Sequence, residues 1–207
     1  EALADALELG VNRAAGTFTA AHPSGSTLGQ TVAGHLGQSD DEAGRTRRMA
    51  MTVVVDALIF HAALSEAEME VPATPPRSVR SPSELRSGGN FRPSLLLDEW
   101  ELILGVNYWP IFHTAGEIVR SLPTQLASAI LNELWHTAEE LIVGGVTKSH
   151  YLTGVVFQRL IADRKFLATY YTRPSGAALL SGLALPMHTP LAGASWADAG
   201  TLSGVRI

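Results

Sequence analysis

The chain has 207 residues, 46% of them hydrophobic and only 17% charged, which is ample for the core of one domain or one and a half. Its net charge of −5 argues against a free-standing, strongly basic nucleic-acid binder, although one basic face on an acidic protein is enough to touch DNA. With no cysteine it has no disulfide framework, zinc–thiolate site or thiol nucleophile. The strongly apolar runs are interrupted short of the roughly 18 residues a membrane span needs, so no membrane association is expected. The acidic opening at Glu1, without Met, carries no signal-peptide pattern, and the expectation is a trimmed piece of a cytoplasmic protein.

The periodicity is helical almost throughout. Leu3, Leu7, Ala14 and Phe18 predict a first helix that stops before His22-Pro23-Ser24-Gly25. Ser39 and Glu42 have capping-box spacing, with Asp40 and Asp41 adding negative charge to a first turn, and the helix that follows runs to about Ala67. Its middle, Met49 to Leu64, is apolar on nearly all sides, as in a central buried helix. Val71 to Pro93 holds five prolines and Ser87-Gly88-Gly89, which predicts a surface loop or linker with a short capped turn at Ser81–Leu85. Helices return at Leu95–Leu104 and Pro110–Leu122. Pro123 then opens the clearest of them, with Leu126, Ile130, Leu131, Leu134, Ala138, Leu141 and Ile142 on one stripe and Gly144-Gly145 as its stop. Ser149 caps a further predicted helix facing inward through Leu152, Val155, Val156, Phe157, Leu160 and Ile161.

Asp163 to Leu185 reads DRKFLATYYTRPSGAALLSGLAL. Thr172 suits a helix N-cap, Pro174 suits the first turn, and Ala177, Ala178, Leu179, Leu180, Leu183 and Ala184 give one apolar side. Such an N-terminus offers N–H groups and partial positive charge to a carboxylate or phosphate; a plain capped helix with core tyrosines has the same letters. Pro186 to Gly204 reads as a connection, and Val205-Arg206-Ile207 as the start of a strand. The fold class is all-α, a multi-helix bundle ending at that strand. The predicted divisions are a helical region over 1–70, the loop or linker over 71–93, a helical bundle over 94–162, and the motif, its helix and a lead-in over 163–207.

The run RKFLATYYTRP, preceded by NYWPIFHTAGEIV and SHYLTGVVFQRLIAD, resembles the approach to the catalytic domain in adenine-N6 DNA methyltransferases. The similarity is greatest to the methylation subunits of type I restriction–modification systems, and it covers roughly Trp100 to Ile207. It implies that Tyr170, Tyr171 and Thr172 touch the methionine end of S-adenosylmethionine in the parent protein. It further implies double-stranded DNA as a partner, and a specificity or restriction subunit as another. The family more often has Pro directly after the Thr, where this chain has Arg173 and then Pro174. The family's Asn/Asp-Pro-Pro-aromatic run, which holds a flipped-out base, is absent, and so is its Gly-rich turn after the first strand. No catalytic residue is therefore assigned, and the chain by itself is expected to be inactive. The alternative is a non-enzymatic, all-helical module for protein or DNA interaction.

Other groups admit two readings. Asn107-Tyr108-Trp109-Pro110 has the letters of the catalytic run in the wrong order and reads as a helix start with buried aromatics. Arg45, Arg47 and Arg48 share one turn and could contact phosphates, or form a solvated face paired with Asp40, Asp41 and Glu42. Arg164 and Lys165, beside the motif, are a second candidate DNA contact, and Arg77, Arg80, Arg86 and Arg92 make the 71–93 loop basic. None of the seven histidines forms an i, i+4 pair with a nearby carboxylate, so no metal site is expected. Asp56 and His61, in the most apolar helix, are either hydrogen-bonded core groups or a buried catalytic pair.

Overall fold

The structure is a computed structural model that describes residues 2–41 and 44–146. These residues belong to one compact unit and are mostly helical. The predicted helix at 149–161, the 163–185 motif and the strand at 205–207 lie outside the described residues.

Helix α1 (Ala2–Ala21) buries Leu7, Val11, Ala14 and Phe18, close to the predicted stripe. A second helix, α2 (Thr27–His35), has no counterpart in the sequence reading. Ser26 caps it, its hydroxyl accepting from Gly29 N at 3.2 Å, and it buries Val32 and Ala33. With nine residues and two internal glycines it has too little periodicity to stand out, and packing against neighbours holds it.

Helix α3 (Arg45–Glu66) begins later than the Ser39–Glu42 spacing predicts. Gly44 takes the left-handed conformation at its N-cap and supplies no side chain. The Asp41 carboxylate does the capping from outside, accepting from Arg45 N at 2.9 Å and Thr46 N at 3.1 Å. By length and composition α3 could cross a bilayer, at a mean hydropathy of 1.5, which corrects the expectation that no run was long enough; half of that window is buried inside the unit. It packs on α1 and α2, and on two later helices.

Residues 70–91 are a packed arm, not a linker. Two short antiparallel ladders, β1 (Glu70–Val71) with β2 (Arg77–Ser78) and β3 (Arg86–Ser87) with β4 (Asn90–Phe91), flank a 3-10 turn, η1 (Pro82–Leu85). Val71, Val79, Leu85 and Phe91 are buried in the core, so the prolines shape a folded segment. The capping box at Ser81 and Glu84 forms as predicted.

Helix α4 (Pro93–Leu104) packs on α5 (Trp109–Ser121). Tyr108, at a φ of 68°, starts α5, its carbonyl accepting from Ile111 N and Phe112 N. The reading of buried aromatics fails at Trp109, which is 58% exposed and stacks on His113 at 3.7 Å, whereas Tyr108 packs on Phe60. Helix α6 (Thr124–Val143) follows Pro123, buries Ile130, Leu131, Leu134, Trp135, Ala138 and Leu141, and ends at Gly144-Gly145. It lies along α1 and α3. Gly10 of α1 lies close against Thr137 of α6, where an added Cβ would stand 1.9 Å from the threonine Oγ1.

Candidate functional site

The polar chemistry of the described residues is concentrated in two buried knots. In the first, Glu99 on α4 has no exposed surface. The Arg77 guanidinium binds it in a fork, with Nη1 and Nη2 each 2.7 Å from a carboxylate oxygen. Arg80 donates its backbone N–H at 3.0 Å and its Nε at 2.8 Å to the same carboxylate. Burial alone would raise the Glu99 pKa, but the hydrogen bonds from Arg77 and Arg80 outweigh it and hold it at about 2. Two guanidiniums on one carboxylate leave one positive charge over, carried by side chains about a third exposed.

His61 extends this knot. Trp100 Nε1 donates to His61 Nδ1 at 3.2 Å, so that nitrogen carries no proton; Nε2 then donates to the Arg80 carbonyl at 2.8 Å. Burial pushes the His61 pKa down to about 4, against the Arg80 carbonyl and the Glu99 charge, so the imidazole is neutral near pH 7. Both its nitrogens and both Glu99 oxygens are engaged. No lone pair is left to take a substrate proton, and the knot ties the arm to α3 and α4.

In the second knot Arg47, 1% exposed, reaches back beneath the α1–α2 connection. Its Nε and Nη2 meet Asp40 at 2.9 and 2.7 Å, Nη2 also meets the Pro23 carbonyl at 2.9 Å, and Nη1 donates to the His22 carbonyl and to Thr19 Oγ1. The guanidinium lies 4.8 Å from the Phe18 ring centroid. Arg47, Arg45 and Arg48 thus do not form one DNA-facing surface: Arg47 is spent internally, while Arg45 is exposed and 3.8 Å from Asp41. The pairing with Asp40 was one of the two sequence readings, but it is buried, not solvated.

Asp56 and His61 do not act as a pair. His61 is fully used, while Asp56 is half-buried and takes no hydrogen bond among the described residues. Burial raises its pKa to about 6. No cluster of metal-ligating side chains exists among the described residues. Two histidines do have an i, i+4 carboxylate, contrary to the sequence reading: His113 with Glu117 on α5, and His136, whose Nδ1 lies 3.6 Å from Glu140 on exposed α6 surface; neither belongs to a group of metal-ligating side chains among the described residues.

The sequence reading missed Glu99, the acid that organises the first knot, and placed the Asp40 pairing on a solvated face where the structure buries it. Asp98, Glu99 and Glu101 look alike in sequence, and only the fold puts Glu99 on the buried face. Near Arg92 there is an open groove of about 520 Å³ lined by Phe91, Arg92, Pro93, Ser94, Thr124, Gln125 and Ser128, without a carboxylate. Tyr170, Tyr171, Thr172, Arg164 and Lys165, the expected cofactor and DNA contacts near the motif, lie outside the described residues. No family model, curated protein or solved structure matches this chain.

Proposed function

We propose that this chain is the N-terminal helical portion of a cytoplasmic, S-adenosylmethionine-dependent adenine-N6 DNA methyltransferase, of the kind that works with a restriction or specificity subunit. The run RKFLATYYTRP at 164–174 carries the reading: an aromatic pair, then a threonine suited to an N-cap and a proline suited to a first turn, ahead of an apolar run at helical spacing. In the proposal the cap holds the cofactor's methionine carboxylate at the helix N-terminus, with Tyr170 and Tyr171 beside it. The 207 residues contain no Asn/Asp-Pro-Pro-aromatic run, so they supply cofactor contacts and a helical support, and base capture falls to residues elsewhere in the protein. The use of both knots as framework agrees with that division of labour.

The test is S-adenosylmethionine binding by the full gene product. Tyr171→Ala and Thr172→Ala should each weaken it by at least roughly tenfold, the scale of one lost charge-assisted contact, with the helical unit still melting cooperatively. Cofactor binding unaffected by both changes would refute the assignment of 170–172. A gene product that binds no S-adenosylmethionine would favour the other reading, an interaction module, which the purely structural use of Glu99, His61 and Arg47 also fits.

A further inference from the structure

Charge is distributed unevenly along this chain. The whole carries −5, yet residues 71–93 hold four arginines against Glu84 alone. The structure then divides those arginines into two pairs. Arg77 and Arg80 share Glu99, which cancels one of their two charges. Among the described residues Arg86 and Arg92 pair with no carboxylate: Arg86, its Nε buried, donates from Nη2 to the Gly89 carbonyl beside the Phe91 ring, and the exposed Arg92 meets the Ser87 hydroxyl at 3.2 Å.

The segment that carries these charges is held firmly. Glu99 and His61 fix Arg80, the Ser81–Glu84 box fixes the turn, and α6 clamps the far end. There Asn132 accepts from Phe91 N at 3.0 Å and donates to Asn90 Oδ1 at 2.8 Å, and Ser128 donates to the Phe91 carbonyl at 2.8 Å. The groove beside Arg92 adds Ser94, Thr124 and Gln125, all able to donate, and no acid. Cations on an ordered support lose little entropy on meeting an anion, and planar guanidinium forks suit phosphate oxygens.

We propose that the 77–92 arm is a contact surface for the phosphodiester backbone of duplex DNA, with Arg86 and Arg92 on phosphates. The choice of duplex DNA rests on the methyltransferase reading; the location of the contact rests on the charge and geometry of the arm. The contact gives affinity and position without reading sequence.

The experiment is fluorescence anisotropy of a labelled DNA duplex titrated with the 207-residue chain over a series of salt concentrations, alongside Arg86→Gln/Arg92→Gln, the exposed Arg92→Gln alone, and Arg86→Lys/Arg92→Lys. The double glutamine variant should weaken binding by about tenfold or more near 0.1 M salt and flatten the salt dependence of log K by about two, with Arg92→Gln giving about half the flattening. The lysine variant should restore most of the binding. Unchanged affinity and slope in both glutamine variants would overturn the arm assignment while leaving methyl transfer, read by cofactor binding, untouched. No duplex binding by the unmodified chain would overturn it as well. Polyglutamate binding with the same dependence on the two arginines would replace DNA with an acidic protein surface.

Discussion

At the residue scale, the buried charges among the described residues are matched by opposite charge, and the half-buried Asp56 is not. Glu99 is the matched case. Its pKa is depressed from 4.5 to about 2, so its contribution to stability is complete above pH 4.5 and is lost as the pH falls toward 2. Glu99→Gln leaves Arg77 and Arg80 facing each other over a neutral group and should destabilise the fold by about 3–5 kcal/mol at pH 7. Chemical denaturation from pH 7 to 2 should show the variant's deficit shrinking below pH 4.5. Asp56 is the unmatched case, with its pKa raised from 3.8 to about 6 by burial. A carboxylate with a raised folded pKa costs stability as the pH climbs through that interval. Asp56→Asn should therefore stabilise by roughly 1–3 kcal/mol at pH 7.5 and have almost no effect at pH 3.5. An equal effect at both pH values would mean that the ionised group is not the cause.

At the element scale, the helices with the strongest stripes were legible in the sequence and the polar tethers were not. Leu7, Val11, Ala14 and Phe18 in α1, and Ile130 through Leu141 in α6, recur at helical spacing because each packs on a neighbouring helix. The 70–91 arm was misread because Pro, Gly and Ser have the same composition in a loose linker and in a pinned segment. What distinguishes the two is long-range partners such as Glu99 and Asn132, which local sequence cannot reveal. The start of α3 was displaced for a related reason: Asp41 caps from three residues before Gly44, a geometry that the Ser39–Glu42 spacing does not encode. Two glycines of α1 make the packing testable. Gly16 has open space around its Cβ position, so Gly16→Ala should stabilise by about 0.5–1 kcal/mol. Gly10 faces Thr137 at the α1–α6 contact, so Gly10→Ala should lose about 1–3 kcal/mol despite the better helix propensity. Thermal melts of the two variants should move in opposite directions.

At the scale of the whole molecule, the described residues form a helical unit tied together by its two buried polar knots, at Glu99 and at Arg47. In the proposal, function enters at the outer surfaces and at the residues of the RKFLATYYTRP run. The proposed cofactor contact can be argued from sequence alone because a capped helix is a local arrangement, written in consecutive residues, and those residues lie outside the described ones. The basic arm became an argument only after the fold separated the arginines spent on Glu99 from those left over. The central claim is methyl transfer to adenine by the protein to which these residues contribute. The measurement that reaches it most directly is nucleoside mass spectrometry of duplex DNA incubated with S-adenosylmethionine and either the full gene product or residues 1–207 alone. The account predicts N6-methyladenine with the full product and none with the 207 residues. It would be contradicted by unmodified adenine in both reactions, or by N6-methyladenine made by the 207 residues without a base-capturing run.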